Sequence, residues 1–76
     1  MRIQEPPLYT RPEISKALEV IQARDTIANQ DRAFHIAARL RLGYSAEVAV
    51  QGTLPIDDDP EKSRRYVETL AKLHTA

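Results

Sequence analysis

The sequence contains no cysteine, no tryptophan and only two glycines among its 76 residues. Without cysteine, the chain forms neither a disulfide framework nor a thiolate metal site. With glycine only at positions 43 and 52, no glycine-rich loop that cradles a phosphate is present. Long apolar runs are also missing, so neither a membrane-spanning helix nor a signal peptide is expected. These absences predict a small cytoplasmic protein without a cofactor.

Net charge is missing as well, because 11 Lys and Arg balance 11 Asp and Glu. A zero total argues against the uniformly basic surface of a nucleic-acid coat protein or a membrane-binding peptide. The total nevertheless conceals blocks of opposite sign: −1 over 1–31, +3 over 32–46, −5 over 47–61 and +3 over 62–76. We therefore expect basic and acidic surfaces on separate elements.

The hydrophobic fraction is ordinary at 42%, but ten of these residues are alanine, which buries little area. A chain of 76 residues allows at most one domain and lies near the lower size limit for independent folding. The core is therefore expected to be thin. Association with another protein or with a second copy would supply the burial that a monomer lacks.

The spacing of apolar residues predicts an all-α fold, a small bundle of three main helices and one short helix. An extended proline-rich N-terminal arm, residues 1–11, precedes a single helical domain, residues 12–76, because the pair Pro6–Pro7 opposes a helix. The arm either lies over the helices or frays, or it docks on a partner or is exchanged with a second protomer. The helices are predicted at about 12–28, 32–42, 46–51 and 60–74.

Capping residues mark most of these boundaries. Thr10, Ser45 and Asp59 are good N-caps for the first, third and fourth helices, and proline follows Asp59 at the first helical position. Asp31, at the end of a polar run, is the predicted N-cap of the second helix, and Gly43 is placed to end it. This second helix has the broadest apolar arc and is therefore predicted to be central. The residues that widen its arc are Phe34, Ala38 and Leu42.

Two charged residues interrupt otherwise apolar stripes: Asp25 on the first predicted helix and Arg41 on the second. A charge inside an apolar face persists only when it is paired and hydrogen-bonded. We therefore hypothesise that Asp25 and Arg41 pair across a helix interface, unless the first helix stops near Arg24. If Arg41 is instead exposed, its apolar surroundings become a candidate partner site.

Residues for catalysis or metal binding are sparse. The two histidines, His35 and His74, lack a helical metal-ligand spacing, and no nucleophile elbow accompanies the three serines. The acidic run Asp57-Asp58-Asp59 lacks the turn glycine and alternating ligands of a calcium loop. No catalytic, cofactor or metal site is predicted. Asp59 caps the last helix, and the other two aspartates either face solvent or form an acidic recognition patch.

The segment 38–52 resembles a helix-turn-helix: a helix, a glycine turn and a Ser-capped second helix. It has Arg39 where a small residue usually precedes the turn, and its second helix offers no base to DNA. The resemblance implies, as an alternative function, a dimeric DNA-binding regulator. The basic residues that would contact phosphates are Arg32, His35, Arg39, Arg64 and Arg65. The first three, spaced i, i+3 and i+7, are expected to share one exposed ridge.

Apolar residues in excess of the core lead to the main hypothesis. Around the short third helix and the connector after it, the bulky side chains cannot all face inward, so an exposed apolar patch is expected. We predict a non-catalytic protein-interaction module: an adaptor, regulator or inhibitor of a larger protein, of a kind common in bacteria and phages. The apolar anchors are Tyr9, Tyr44, Val50, Leu54 and Ile56. The charged residues that orient the partner are Arg32, Arg39, Asp57 and Asp58.

Overall fold

The computed structural model describes residues 9–74, and in this range the chain forms four helices and no strand. The helices are α1 (Arg11–Val20), α2 (Ile27–Arg41), α3 (Ala46–Gln51) and α4 (Pro60–His74), with a 3₁₀ turn at Ile56–Asp58. The predicted all-α bundle of three main helices and a short one is confirmed. The predicted N-terminal arm lies mostly outside the described residues, and its last residue already belongs to α1. Between residues 9 and 74, no helix offers the unbroken apolar length that spanning a bilayer requires.

The core lies between the four helices, and α2 packs against α1, α3, α4 and the 3₁₀ turn, as its predicted central position requires. Ile36 of α2 and Tyr66 and Leu70 of α4 are completely buried. The Tyr66 hydroxyl donates a hydrogen bond to the Ala33 carbonyl at 3.0 Å, so the largest core side chain joins α4 to α2. The other buried apolar residues are Ile14, Ala17, Leu18, Ile21, Ala33, Ala37, Ala49 and Ile56.

The first helix is shorter than predicted, because α1 ends at Val20. The chain turns at Gln22, whose φ of 60° is left-handed. The Gln22 N–H donates to the Glu19 carbonyl, and the Ala23 N–H donates to the Leu18 carbonyl, both at 3.0 Å. These are the two hydrogen bonds of a Schellman ending. Glycine usually occupies its left-handed position, so a glutamine there carries no recognisable stop signal.

The second helix begins earlier than predicted, at Ile27. The Thr26 hydroxyl accepts a hydrogen bond from the Asn29 N–H at 3.0 Å and caps the helix. The prediction of Asp31 as the cap is wrong, because Asp31 lies inside α2, 3.8 Å from His35. The polar run 29–31 does not break the helix. Asn29 is buried, with 2% of its surface exposed, and its side chain forms hydrogen bonds with Asp57.

The turn between α2 and α3 is fixed by caps on both sides. Gly43, left-handed with a φ of 98°, donates to the Leu40 carbonyl at 3.0 Å. The Tyr44 N–H donates to the Arg39 carbonyl at 3.1 Å and completes a Schellman turn. Ser45 then caps α3, because its hydroxyl accepts a backbone N–H of the first helical turn at 3.2 Å. The predicted stop and start are both confirmed.

The predicted burial and pairing of Asp25 with Arg41 is wrong. Asp25 lies in the exposed connector between α1 and α2 and accepts a hydrogen bond from the Gln30 side chain at 2.6 Å. Arg41 is the last residue of α2 and is exposed. Because α1 ends before Asp25, this carboxylate never joins the apolar stripe that the longer predicted helix implied.

Candidate interaction surface

The 3₁₀ turn places Asp57 at the centre of a polar cluster with Arg24, Asn29 and Lys62, termed the Asp57 clasp. The Asp57 side chain is only 6% exposed. Its Oδ1 accepts from Arg24 Nε at 2.9 Å and from Asn29 Nδ2 at 2.7 Å. Its Oδ2 accepts from Lys62 Nζ at 2.8 Å and from the Arg24 N–H at 3.1 Å. The clasp therefore ties the α1–α2 connector, α2 and α4 to the 3₁₀ turn.

A left-handed backbone aims the Asp57 carboxylate into the clasp. The φ angles of Asp57 and Asp58 are 56° and 57°, a conformation that aspartate tolerates better than most residues. Hydrogen bonds from Lys62, Asn29 and Arg24 hold the pKa of Asp57 well below its ordinary value of 3.8. The hydrogen bond to Asp57, together with its charge, raises the pKa of Arg24. Both groups therefore stay ionised, as a structural ion cluster.

The lowered pKa of Asp57 makes the clasp sensitive to acid. A folded-state pKa below the unfolded one means that the stabilisation is complete above about pH 5 and is lost as the pH falls through 3.8 toward the folded value. Asp57→Asn is therefore expected to lower the melting temperature at neutral pH. Its difference from the wild type is expected to shrink to about half or less by about pH 2. Circular dichroism melts across this pH range measure the effect.

Asp58→Asn is the matched control for this prediction, because the Asp58 side chain is 76% exposed and exposed ion pairs contribute little. Its melting temperature should stay close to that of the wild type over the same pH range. A deficit of Asp57→Asn that stays constant into strong acid would contradict the assignment of the clasp as a carboxylate-centred cluster.

The acidic run does not form an open patch, since each carboxylate has a partner within the chain. Asp57 is enclosed by the clasp, so neither its predicted exposure to solvent nor its role in orienting a partner is retained. Asp58 Oδ1 accepts from Arg32 Nη1 at 3.3 Å. Asp59 Oδ1 accepts from the Glu61 N–H at 3.0 Å, as expected for the N-cap of α4. Only Asp58 remains largely at the surface.

Ile56 and Arg32, two other predicted partner residues, form contacts within the chain instead. Ile56 is completely buried, and its N–H donates to the Ser63 hydroxyl at 2.9 Å, so its prediction as an exposed anchor is wrong. The 3₁₀ turn closes over the core and directs this end of the connector inward. Arg32, whose side chain is 19% exposed, donates to the Pro55 carbonyl at 2.8 Å. Its guanidinium therefore positions the connector.

The predicted basic ridge of α2 is not an exposed row of cations, because Arg32 is bound to the connector. His35 remains 57% exposed, 3.8 Å from Asp31. Arg39 is partly buried and lies over Gly52, where an added Cβ would collide with its guanidinium. Its Nη1 is buried without an acceptor among residues 9–74. The ridge thus presents mainly an imidazole to solvent.

A shallow groove separates α3 from α4 and consists of two adjoining depressions of about 270 and 240 Å³. Glu47, Val50 and Arg64 line both depressions. Val50, a predicted anchor, is half-buried against the core. Arg64 lies 3.9 Å from Glu61, while Arg65 is exposed on α4. Both α4 arginines are therefore exposed, and Arg64 lines the groove between α3 and α4.

Three large apolar side chains on and beside α3 are exposed and are termed the α3 surface. Tyr44 is 53% exposed, Val48 49% and Leu54 64%. Tyr44 and Val48 flank the capped start of α3, and Leu54 follows its end. Val48 and Val50 lie about 200° apart on the helix, which explains why one faces solvent and the other faces α4. The predicted anchors Tyr44 and Leu54 are thus exposed.

The solvent side of α2 carries a second apolar strip, termed the α2 face: Ile27, Phe34, Ala38 and Leu42. Ile27 is 85% exposed, Phe34 40% and Leu42 76%. Steps of seven, four and four residues place all four on one side of the helix. Asp31, 74% exposed and 3.8 Å from His35, lies on the same side and interrupts the strip between Ile27 and Phe34. The interpretation of Phe34, Ala38 and Leu42 as part of a buried arc is therefore wrong, because the other helices leave this side uncovered.

A groove of about 190 Å³ runs beside the α2 face, between α2 and the start of α1, and Tyr9, Phe34 and Arg41 are among the residues that line it. Tyr9 is half-buried against the core, so this predicted anchor is only partly accessible. The Arg11 guanidinium lies over the Phe34 ring, 6.0 Å from its centre. Arg41 is exposed and has apolar neighbours. For an exposed Arg41, the sequence predicts that these apolar neighbours form a candidate partner site.

No group of three or more His, Cys, Asp or Glu side chains is arranged to hold a metal ion within residues 9–74. Burial raises the pKa of the Tyr66 phenol, which donates to a helix carbonyl and so acts as a protonated core group. His35 is exposed beside Asp31, 3.8 Å away.

The clasp residues Arg24, Asn29 and Lys62 are not found by sequence reasoning. Asn29 did carry a signal, because it precedes Ala33 and Ile36 at helical spacing and so lies on the buried stripe of α2. A buried amide implies a hydrogen-bonded partner. Arg24 carried none, since its contact with Asp57 spans 33 residues of sequence.

Comparison with known proteins adds no relative from which a role could be transferred to these surfaces. No protein-family model matches the chain, and no curated protein or solved structure is significantly similar to it.

Proposed function

We propose that this protein is a non-catalytic protein-interaction module that binds a larger protein through the α3 surface, as an adaptor, regulator or inhibitor. The observation that carries the proposal is the exposure of Tyr44, Val48 and Leu54. About half or more of the surface of each residue is accessible to solvent. Large apolar side chains exposed together on a small protein are typical of a partner surface. Tyrosine is also enriched among the residues that dominate binding energy.

Rigid presentation of the α3 surface supports this function. The Ser45 carbonyl accepts the Ala49 N–H at 2.9 Å, and the Gly52 N–H donates to the Val48 carbonyl at 3.1 Å. Together with the Schellman turn before it, these bonds fix the backbone that carries Tyr44 and Val48. A surface that is ordered before binding loses little conformational entropy when a partner docks.

The groove between α3 and α4 lies beside the same helix and offers a second contact region. Val50 and Val67 supply its apolar lining, and Glu47, Arg64 and Glu68 supply charged groups. A partner side chain that enters the groove would meet apolar contacts with polar groups at their edge, which is the usual arrangement at the core and rim of a protein interface.

DNA binding has less geometric support. At the position of a recognition helix, α3 exposes Glu47, Val48 and Gln51, which include no cation for a phosphate and one carboxylate that would repel it. Arg32 and Arg39 are held against the connector and Gly52. Phosphate contacts would therefore require these guanidiniums to leave their positions in the fold.

Affinity capture from an extract of the protein's own host cells tests the proposal with variants of the α3 surface. The double variant Tyr44→Ser with Leu54→Ser removes two exposed anchors. A partner retained by the wild type is expected to bind this variant at least about 30-fold more weakly, as the loss of one strong anchor would produce. Quantitative mass spectrometry of the retained proteins gives the ratio.

Val20→Ser is the matched control, because Val20 is 50% exposed on α1, away from the α3 surface. It should retain the same partner as the wild type. The proposal fails if every retained protein is held equally by the double variant. Binding to random-sequence duplex DNA that weakens steeply with salt would favour the DNA-binding alternative instead.

A further inference from the structure

We propose that a second copy of this chain docks on the α2 face, with the two α2 helices antiparallel about a two-fold axis near Phe34. Phe34 lies midway along α2 (Ile27–Arg41), so a two-fold axis at this point places the start of one helix beside the end of the other. The same surface then serves both copies, as an isologous interface requires. This interface is distinct from the α3 surface and goes beyond the proposed function.

The apolar residues of the α2 face are complementary under this symmetry. Ile27, 85% exposed near one end, comes opposite Leu42 of the second copy, 76% exposed at the other end. Phe34 meets Phe34 of the second copy at the axis, and the exposed Ala38 beside it lets the helices approach closely. The most exposed apolar groups of α2 are thereby covered by one another.

The charges along one edge of α2 are also self-complementary. Asp25, just before the helix, is held by Gln30 at 2.6 Å. Gln30 and Arg41 are eleven residues apart, close to three helical turns, so they share an edge of α2. The two-fold axis keeps this edge on the same side in both copies. Asp25 of each copy therefore comes opposite Arg41 of the other.

Both members of this intermolecular pair are available. Asp25 and Arg41 are exposed, and neither forms an ion pair within residues 9–74. Arg11 approaches Phe34 from α1, and dimerisation would bring two such guanidiniums toward each other. Because Arg11 is exposed, its side chain can turn into solvent, where like-charge repulsion is weak.

Charge reversal with sedimentation equilibrium tests this interface. The wild type is expected to dimerise with rising concentration between about 10 μM and about 1 mM, the range of a small interface. Asp25→Arg and Arg41→Asp each place like charges opposite one another, so each is expected to weaken its own dimer at least about tenfold. An equimolar mixture of the two variants restores both opposite-charge pairs, so a heterodimer of near wild-type affinity is expected.

Arg65→Asp is the matched control, because it makes the same charge change on the exposed side of α4. It should dimerise like the wild type. Its heterodimer with Asp25→Arg keeps one opposite-charge pair and gains one like-charge pair, so it is expected to be weaker than the heterodimer of the two reversal variants. A wild type that stays monomeric at about 1 mM overturns the proposal. So does a dimer that is insensitive to both reversals, or a mixture of the two variants that remains monomeric.

Discussion

Ile56→Ala is expected to lower the free energy of unfolding by about 3 kcal/mol, the effect of a cavity in the core. Ile56 is completely buried and belongs to the same core cluster as Tyr66 and Leu70. Its own N–H is held by the Ser63 hydroxyl at 2.9 Å, and the clasp fixes the next residue. The backbone therefore cannot close over the missing atoms, and the cavity persists. Urea unfolding followed by circular dichroism measures the loss.

Leu54→Ala is the matched control, because Leu54 belongs to the same connector and is 64% exposed. Its free energy of unfolding should stay within about 0.5 kcal/mol of the wild type. The sequence predicts the same role for both residues, whereas the structure buries Ile56 in the core and leaves Leu54 exposed. Equal losses for both variants would contradict this division of the connector.

The parts of the fold that follow local rules could be predicted from the sequence. Gly43 is left-handed, Ser45 caps α3, and Asp59 with its following proline begins α4. Each of these features depends on a few neighbouring residues whose side-chain chemistry is specific to a helix end. The extents of α3 and α4 follow from them directly.

The boundary between α1 and α2 could not be predicted in the same way. The end of α1 depends on a left-handed Gln22, and glutamine has no general preference for that conformation. The start of α2 depends on Thr26 rather than Asp31, and both are acceptable N-caps by composition. The tertiary contact of Asn29 with Asp57 favours the earlier start, and no local pattern contains that information.

The predicted partner-binding residues also differ in whether local sequence determines their exposure. Tyr44 and Leu54 are exposed beside a short helix, which the shortage of interior positions around α3 already indicated. Ile56 and Asp57 are internal because a 3₁₀ turn closes on distant residues, among them Arg24, 33 positions away. Sequence separation of this size leaves no periodic signal, so exposure in the connector could be predicted only in part.

The structure shows which of the balanced acidic and basic side chains form contacts within the fold. The acidic block is largely engaged by the fold, through the clasp at Asp57, the Arg32 contact at Asp58 and the cap at Asp59. Asp25 and Arg41 remain as exposed charges of opposite sign near opposite ends of α2. The charges available to a partner are therefore exposed side chains such as Asp25 and Arg41, rather than the acidic run Asp57-Asp58-Asp59.

Asn29→Ala is expected to lower the free energy of unfolding by about 3 kcal/mol, because it removes hydrogen bonds from a buried site. The Asn29 amide donates to the Arg24 carbonyl at 2.8 Å and to Asp57 Oδ1 at 2.7 Å, and it accepts the Asp57 N–H at 2.9 Å. With 2% of Asn29 exposed, water does not readily replace it. Urea unfolding at neutral pH measures the deficit.

Gln30→Ala is the matched control, because Gln30 carries the same amide one residue later and bonds to the exposed Asp25. Its effect should stay within about 0.5 kcal/mol. Asn29 is also one of the donors that lower the pKa of Asp57, so the Asn29→Ala protein has less carboxylate stabilisation to lose in acid. Its deficit relative to the wild type should therefore narrow as the pH falls below 3.8. Equal stability of the two variants would mean that Arg24 and Lys62 hold Asp57 without the amide.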